Sequence, residues 1–345
     1  MTDNFTVWDV KFTQFNSLKS REEKLKFFVN FAVLSPSSHN SQPWKFTVRD
    51  NSIEVSFDKS RSLPVGDPEN RLAYVSIGCC IQNLICVAEY YGYKTQLVIT
   101  NNRLSSRDPV AVVKITPGTN KVSRKKDRTH LATFISKRAT NRGKYKAEAL
   151  PRAIGSMLKK AVGVGLGIYF ISDKEKKAKV VDLAISAGID AMENKAFREE
   201  LARHVKPNIT SSKTGMPAYG MGIPTPISFL APTMIRLFNM NKAQSEKDSK
   251  TIMTTPLFVL ITSEKNKTSD WVKVGLAYQE IGLRLTRENF VSHPMAGPIQ
   301  LSSYRDEIKK IFSAKGYPQF FFRVGRPVNP VKHSPRIPAE EVTVN

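Results

Sequence analysis

The amino-acid sequence predicts an α+β protein whose chain consists of two tandem halves. Two long apolar helices are predicted near residues 71–91 and 269–290, and short strand-like runs of apolar residues precede and follow each of them. The halves therefore share one order, which is helix, strand, long helix and strand. The chain has 345 residues, of which 41% are hydrophobic, enough for one large core or for two domains.

The first half begins with a helix that starts at a capping box, Ser20–Glu23. In such a box the first and last side chains accept hydrogen bonds from backbone N–H groups that the helix leaves free. Apolar residues recur at helical spacing until Ser35 and Pro36 end the helix. The elements after it are two strands with a hairpin turn at Asp50 and Asn51, a long helix and two further strands, predicted at residues 44–49, 53–57, 71–91, 96–100 and 110–115.

The second half repeats this order with additional helices. Its predicted helices lie near residues 128–137, 151–162, 173–189 and 193–205, with a strand at 168–172. Residues 206–232 are rich in glycine and proline, and an irregular stretch of that length is usually functional or mobile. The remaining elements are a strand, the second long helix and a last strand, at residues 257–262, 269–290 and 320–324, before a polar tail rich in proline.

Hydropathy and cysteine usage exclude several classes of protein. No stretch approaches the ~18 uninterrupted apolar residues of a membrane-spanning helix, so we expect no membrane partner. The three clustered cysteines, Cys79, Cys80 and Cys86, form no CxxC pair, and the five histidines lack metal-ligand spacing. Residues 1–12 lack the pattern of a signal peptide. These features predict a reducing, cytoplasmic location, no disulfide framework and no metal site.

Positive charge is concentrated in one part of the chain. The 53 Lys and Arg residues exceed the 30 Asp and Glu residues and give a net charge of +23. Ten of the basic residues lie in 121–146, where Asp127 is the only acidic residue. Such a run indicates a solvated basic face, a nucleic-acid surface or a pocket for one phosphate. The cluster Lys121–Arg128 is more typical of an exposed face.

A polar segment, Ser35–Trp44, lies between the first apolar helix and the first apolar strand. Serine, asparagine and proline are typical of turns, which accounts for Ser35, Pro36 and Pro43. The hydroxyls, imidazole and amides that remain can bind a ligand rich in heteroatoms, such as a flavin or a nucleotide. The residues alone leave both a turn and a ligand-binding loop open.

A second candidate segment, Lys137–Tyr145, lies inside the basic run. Its Arg138 and Arg142 flank a hydroxyl and an amide, an arrangement that suits a phosphate held by charge-assisted hydrogen bonds. A solvated basic turn has the same composition, so this alternative also stays open.

Several segments together resemble the FMN-dependent nitroreductase superfamily. Ser35–Phe46 (SPSSHNSQPWKF) resembles its Pro-Ser-Ser-x-Asn-x-Gln-Pro-Trp motif, and KRATNRGKY resembles its Arg-x-Ser/Thr-x-Arg phosphate motif. Ser76–Tyr91 resembles the family's dimer-interface helix, and His293–Gly297 resembles the loop beside the reactive edge of the flavin. The segment VKHSPRIPAEEV resembles the family's closing segment. Phe197–Leu201 resembles the Phe-Arg-Glu-Glu-Leu helix of the fused, Acg-type branch.

The resemblance implies that FMN is the cofactor and that no side chain acts as a nucleophile. The implied cofactor-binding residues are Pro36, Ser37, Ser38, Asn40, Arg138, Thr140, Arg142, Met295, Ala296, Gly297, Lys332 and Arg336. Within this set, Arg138, Thr140, Arg142 and Arg336 would hold the phosphate, with Lys332 as a weaker candidate. His39 occupies the variable motif position, which in the family can face the substrate, and its protonation would favour anionic substrates.

Family nitroreductases bind each FMN between two subunits, whereas each half of this chain resembles only part of such a site. Residues 1–127 carry the serine-rich loop without the arginine motif, and residues 128–345 carry the arginine motif without the serine-rich loop. The resemblance therefore implies a single chain that imitates a dimer, binds one flavin and can exist as a monomer. Residues 206–232 are the candidate lid over that flavin.

The implied activity is hydride transfer from NAD(P)H through the flavin to a small electrophilic substrate. The alternative is a protein that stores or sequesters flavin without turnover. Nucleic-acid binding is the least favoured of the three functions, because the densest basic run ends in a motif that suits one small phosphate.

Overall fold

The structure, a computed structural model, describes residues 3–100, 108–118, 129–238, 248–330 and 332–344. The mixture of helices with a five-stranded, a four-stranded and a two-stranded sheet confirms the predicted α+β class. The predicted boundary between residues 127 and 128 and the basic cluster Lys121–Arg128 lie outside these residues. The division of the chain into 1–127 and 128–345 therefore stays a prediction.

The first half contains helices α1 and α2 and strands β1 to β4. The helices are Arg21–Ala32 and Arg71–Tyr90, and the strands are Trp44–Arg49, Ser52–Phe57, Tyr93–Ile99 and Ala111–Pro117. Helix α1 begins as predicted, because the Ser20 hydroxyl and the Glu23 carboxylate each accept a backbone hydrogen bond of the capping box.

The described part of the second half contains helices α3 to α11 and strands β5 to β11. The helices are Arg152–Lys159, Lys174–Glu193, Lys195–His204, Thr225–Ser228, Ala231–Leu237, Thr268–Arg287, Gly297–Gln300, Ser302–Ile311 and Ala339–Val342. The strands are Leu166–Ile171, Val205–Lys206, Met216–Pro217, Leu257–Ser263, Val291–Pro294, Tyr317–Gly325 and Thr343–Val344. The helix predicted near 128–137 is a 3-10 helix over Thr129–Lys137, and residue 128 lies outside the described residues.

The two larger sheets pack against the long helices α2 and α8. The first sheet has the order β11-β1-β2-β4-β3 and shares a core with α1 and α2, while the second has the order β5-β8-β10-β9 and packs mainly on α8. Strand β11, at the end of the chain, pairs in parallel with β1, through Phe46 and Thr343. The C-terminal residues of the second half thus complete the sheet of the first half.

The backbones of α2 and α8 touch where two glycines meet. A Cβ atom added to Gly78 would lie 2.1 Å from the Val272 carbonyl oxygen, and one added to Gly275 would lie 2.0 Å from the Val75 carbonyl oxygen. These contacts are reciprocal, because a constant offset of 197 residues relates Val75 to Val272 and Gly78 to Gly275. Only glycine permits this approach.

Buried amides extend the reciprocal pattern along the same helices. Gln82 donates to Glu280 Oε2 at 3.3 Å, and Gln279 donates to Asn83 Oδ1 at 2.7 Å. The offset of 197 residues also relates Gln82 to Gln279 and Asn83 to Glu280. A surface that meets an equivalent of itself in this way is typical of a twofold interface.

Helix α2 has the length and composition of a membrane span but lies inside the protein. Among the described residues it is the one helix that passes this test, with a mean hydropathy of 1.5 and 89% of the window buried. Its cysteines, Cys79, Cys80 and Cys86, are buried and form no disulfide, and burial raises the pKa of Cys79 to about 12. The cysteines therefore serve as core residues.

Candidate functional site

The polar segment between α1 and β1 is a turn with an unusual backbone. His39, Asn40 and Gln42 have φ angles of 49°, 55° and 55°, in the left-handed region that residues with a Cβ rarely adopt. Such backbone strain persists only where neighbouring groups hold it, and it concentrates at functional sites. The turn is therefore fixed by specific contacts, which its amide side chains make.

Asn40 joins three segments of the chain. Its Nδ2 donates to the carbonyl oxygens of Gly215 and Pro335, both at 2.9 Å, and its Oδ1 accepts from Arg336 Nη1 at 2.7 Å. Gln42 makes a similar pair of bonds, to the Lys213 carbonyl and from the Ile337 N–H. These amides hold other segments of the chain in place. The turn interpretation therefore accounts for Asn40 and Gln42, and the ligand-binding interpretation stays open for the other polar groups of the segment.

Eight of the predicted cofactor-binding residues line one polar cavity of about 60 Å³. They are Pro36, Ser37, Asn40, Arg138, Thr140, Arg142, Lys332 and Arg336. The serine-rich turn, the arginine motif and the C-terminal segment are therefore adjacent in space, although they are about 100 and 200 residues apart in the sequence.

Three guanidinium groups at this cavity have no carboxylate partner among the described residues. Arg138 and Arg336 are only 5% and 4% exposed, and the Nε atom of each is buried without a hydrogen-bond partner. Burial lowers the pKa of Arg138 and of the half-buried Arg142, and burial together with the Arg138 charge lowers that of Arg336 to about 9. Buried cations of this kind require an anion, and the cavity suits a phosphate.

Arg323, which sequence reasoning missed, positions the arginine motif. Its Nη2 donates to the Arg142 and Gly143 carbonyl oxygens at 2.7 and 2.8 Å, and its guanidinium lies 4.2 Å from the centre of the Tyr145 ring. The signal that could have revealed it is an arginine within the apolar run of β10, because a charge in a buried strand needs fixed partners.

A second, larger cavity of about 770 Å³ lies on the other side of the turn. Of the predicted residues, Ser38, His39, Ala296 and Gly297 line it, whereas Ser37 and Asn40 face the polar cavity. Met295 lines neither cavity. Its N–H donates to the Phe321 carbonyl at 2.9 Å and its side chain lies in a hydrophobic core.

The imidazole of His39 is neutral near pH 7. Burial lowers its pKa to about 3, assisted by the nearby His204 and Arg142, and its ring lies 5.7 Å from that of His204. The expectation that protonated His39 attracts anionic substrates is therefore wrong, because burial penalises the charged form.

Two half-buried histidines, His39 and His333, make stability depend on pH. Burial lowers the pKa of His39 to about 3 and that of His333 to about 4, from an ordinary 6.5. The unfolded chain takes up these protons first, so this stability is complete above about pH 6.5 and is lost as the pH falls toward 3. We expect His39→Gln to flatten the slope of unfolding free energy against pH by up to about 1.4 kcal/mol per pH unit between pH 4 and 6.

Urea unfolding of the His39→Gln protein at several pH values measures that slope. The matched control is His130→Gln, which removes an exposed histidine and should leave the slope unchanged. Equal slopes for all three proteins would contradict the burial argument.

The segment predicted as a lid, residues 206–232, lies against the polar cavity. Met216, Pro217, Tyr219 and Gly220 line the cavity, and the Met216 sulfur lies 3.2 Å from Arg142 Nη2. The Tyr219 hydroxyl donates to the His333 carbonyl, and Asn4 donates to the carbonyl oxygens of Thr210 and Ser212. The segment covers the cavity in this structure, and its opening stays a prediction.

Helix α5 connects that segment with the first half through Glu200. The Glu200 carboxylate accepts hydrogen bonds from the N–H groups of Val65 and Gly66 at 3.0 and 2.7 Å. Phe197 and Leu201, on the same helix, line the larger cavity. The Phe-Arg-Glu-Glu-Leu sequence thus places apolar residues in a cavity wall and anchors that wall to the loop before α2.

Sequence comparison relates the chain to proteins of Mycobacterium tuberculosis. Rv3131, which carries the provisional name NAD(P)H nitroreductase, is 24% identical over 340 residues that cover 91% of this chain and 89% of its own length. The chain is a relative of the nitroreductase superfamily. Rv3127 is 21% identical over 87% of this chain, and the NAD(P)H nitroreductase acg, also provisionally named, is 34% identical over 59 residues. No protein-family model matches the chain.

Similar solved structures include two nitroreductases. The FMN-dependent nitroreductase NfnB from Mycobacterium smegmatis, in complex with NADPH, is 14% identical with a TM-score of 0.41 and covers 64% of this chain and 99% of its own. The FMN- and NADPH-dependent NfnB of a Sphigopyxis strain gives a TM-score of 0.40 at 14% identity, over 61% of this chain and 96% of its own.

Proposed function

We propose that the protein binds one FMN per chain and acts as an NAD(P)H-dependent oxidoreductase on a small electrophilic substrate. The observation that carries this proposal is the group of three guanidiniums, Arg138, Arg142 and Arg336, which have no carboxylate partner among the described residues and face one phosphate-sized cavity. The relationship to proteins named as NAD(P)H nitroreductases supports the same conclusion.

The donor set fits both ends of FMN. Arg138, Arg142 and Arg336 would hold the phosphate, with Thr140 donating its hydroxyl and Lys332 adding a further charge. The adjoining cavity, lined by Ser38, Ala296 and Gly297, has the volume and apolar character that suit a ring system. Met295 would not contact FMN but would position Ala296 and Gly297, because its backbone hydrogen bond to Phe321 fixes the loop that carries them. Bound FMN would supply hydride transfer from NAD(P)H to the substrate.

A single flavin per chain follows if the chain imitates a dimer. The reciprocal contacts of α2 and α8 support this arrangement, as does the division of the motifs between residues 1–127 and 128–345. Because the chain already contains both sides of this interface, we expect a monomer. The cysteine usage favours a cytoplasmic location, and the arginine motif at the end of the basic run favours a single phosphate over a nucleic-acid partner.

FMN titration of the flavin-free protein tests this stoichiometry. Saturation at one FMN per chain is expected, because Arg138, Arg142 and Arg336 all line the same cavity. Saturation at two would contradict the division of the motifs, and absence of binding would contradict the cofactor itself.

A flavin-storing protein is the second candidate function. The observation that favours it is the segment 206–232, which lies over the polar cavity and is hydrogen-bonded to Asn40 and Gln42. If this segment opens rarely, FMN would be retained while NAD(P)H and substrate are excluded.

Anaerobic stopped-flow reduction of the FMN-loaded protein separates the two candidates. An oxidoreductase is expected to lose its visible flavin absorbance in a single phase that depends on NADH or NADPH concentration. If neither donor bleaches the flavin while dithionite does, the storage function stands and the oxidoreductase proposal fails.

A further inference from the structure

The larger cavity extends well beyond the turn that carries Ser38 and His39. Most of its wall consists of apolar side chains of α4, α5, α7 and the residues next to α7, among them Ile185, Leu201, Leu230, Met234 and Phe238. The described residues of its lining include no lysine or arginine, and their carboxylates are Asp190 and Asp248. A wall of this kind accepts hydrocarbon and disfavours anions.

The mouth of this cavity is apolar as well. Ile227, Leu230, Met234 and Phe238 line the cavity and are nevertheless 55%, 60%, 39% and 54% exposed, so the same side chains face both the interior and the solvent. All four line the same cavity, although they belong to α6, to α7 and to the residues next to α7. A contiguous exposed apolar patch of this kind marks a binding site for an apolar partner.

Polar groups are few and uncharged at the turn that lines this cavity. Ser38 offers a hydroxyl, and the His39 imidazole is neutral because burial lowers its pKa to about 3. Such groups can hydrogen-bond a small uncharged head group, whereas no described lining residue neutralises a carboxylate or phosphate.

We propose that this cavity binds an uncharged lipid-like molecule, with its hydrocarbon chain between α4, α5 and α7 and its polar head near Ser38 and His39. The molecule enters through the mouth formed by Ile227, Leu230, Met234 and Phe238. Its role as the substrate rests on the proposed oxidoreductase function, but its binding does not.

Displacement of a neutral fluorescent probe from the flavin-free, full-length protein tests this binding. We expect straight-chain primary alcohols from octanol to tetradecanol to displace N-phenyl-1-naphthylamine, with affinity rising about fourfold per added methylene. Fatty acids of the same chain length, ionised at pH 8, should bind more weakly by a factor of at least about ten. Failure of the alcohols to displace the probe, or equal affinity of the ionised acids, would overturn the proposal.

Two variants of α7 locate the binding. Met234→Asp places a carboxylate on a side chain that lines the mouth, and should weaken alcohol binding at least about tenfold. The matched control, Leu237→Asp, alters a residue of the same helix that is 65% exposed but does not line the cavity, and should change affinity less than about twofold. Equal losses in both variants would overturn the assignment of the mouth.

FMN titration of the same variants separates this proposal from the proposed function. Both variants should retain FMN, because neither Met234 nor Leu237 is among the residues assigned to FMN or to the segment 206–232. Alcohol binding without FMN binding refutes the flavin function alone, and FMN binding without alcohol binding refutes the lipid-like ligand alone.

Discussion

Replacing Arg138 with methionine is expected to weaken FMN binding about a hundredfold and to stabilise the flavin-free protein. The guanidinium is 5% exposed, its Nε atom has no partner, and no carboxylate of the described residues pairs with it. A buried cation without an anion costs free energy, so an apolar side chain of similar length should raise the free energy of unfolding by about 1–3 kcal/mol. The same cation contributes charge-assisted bonds of about 1.5–3 kcal/mol each once a phosphate is bound.

A loss of FMN affinity together with a gain in stability distinguishes an arginine that binds a ligand from one that supports the fold. Urea unfolding without flavin measures the gain in stability, and fluorescence titration with FMN measures the loss of affinity. The matched control is Lys137→Met, which removes the neighbouring but exposed cation and should change neither quantity appreciably. Riboflavin, which lacks the phosphate, should bind the Arg138→Met protein as well as it binds the unaltered one.

A loss of stability in flavin-free Arg138→Met, with FMN affinity unchanged, would contradict the phosphate assignment. Arg138 would then serve to pack against α8, because its side chain lies near Gly282 of that helix. Arg336 is less suitable for this test, because it also bonds to Asn40 and the Pro335 carbonyl and thereby holds the turn.

The order of the elements could be predicted from the sequence because local signals fix it. The capping box at Ser20 and the apolar periodicity of α1 and α2 are properties of neighbouring residues, and the structure confirms them. The parallel pairing of β11 with β1 depends on residues about 300 positions apart, which no local pattern encodes. The same limitation applies to β9, whose four residues resemble a loop in the sequence.

The candidate site could be predicted as a set of residues but not as a set of roles. The resemblance indicated Asn40 as a flavin contact, whereas the structure has its amide bonded to Arg336, Gly215 and Pro335. Arg323 escaped notice because it acts through the backbone of Arg142. Such roles depend on which bonds a side chain has already made, and a sequence lists donors without their partners.

The structure explains only part of the net charge of +23. Sequence position alone left a solvated face, a nucleic-acid surface and a phosphate pocket as alternatives for the basic run. Burial separates two members of the run from its other described members, because Arg138 is buried and Arg142 half-buried while Lys137, Lys144 and Lys146 are exposed. The cavity thus accounts for a few cations, and the exposed ones contribute to solubility and long-range attraction of anions.

Replacing Gly275 with alanine is expected to destabilise the protein by about 3 kcal/mol or more. The added Cβ would lie 2.0 Å from the Val75 carbonyl oxygen, a backbone atom that cannot rotate away, so α2 and α8 would have to separate. Separation also lengthens the bond from Gln279 to Asn83 and breaks apolar contacts along both helices. Because the contact is reciprocal, Gly78→Ala should cost a similar amount, since its Cβ would lie 2.1 Å from the Val272 carbonyl oxygen.

Chemical denaturation of both variants measures these losses, and FMN titration tests their consequence for the site. The control is Gly155→Ala in α3, where an added Cβ meets nothing within 4 Å and should stabilise the helix by about 0.5–1 kcal/mol. FMN affinity should fall in the Gly275 and Gly78 variants, since the serine-rich turn and the arginine motif belong to different halves that this crossing aligns. A loss below about 1 kcal/mol in either variant would mean that the two helices tolerate separation, and the crossing would then not fix the geometry of the site.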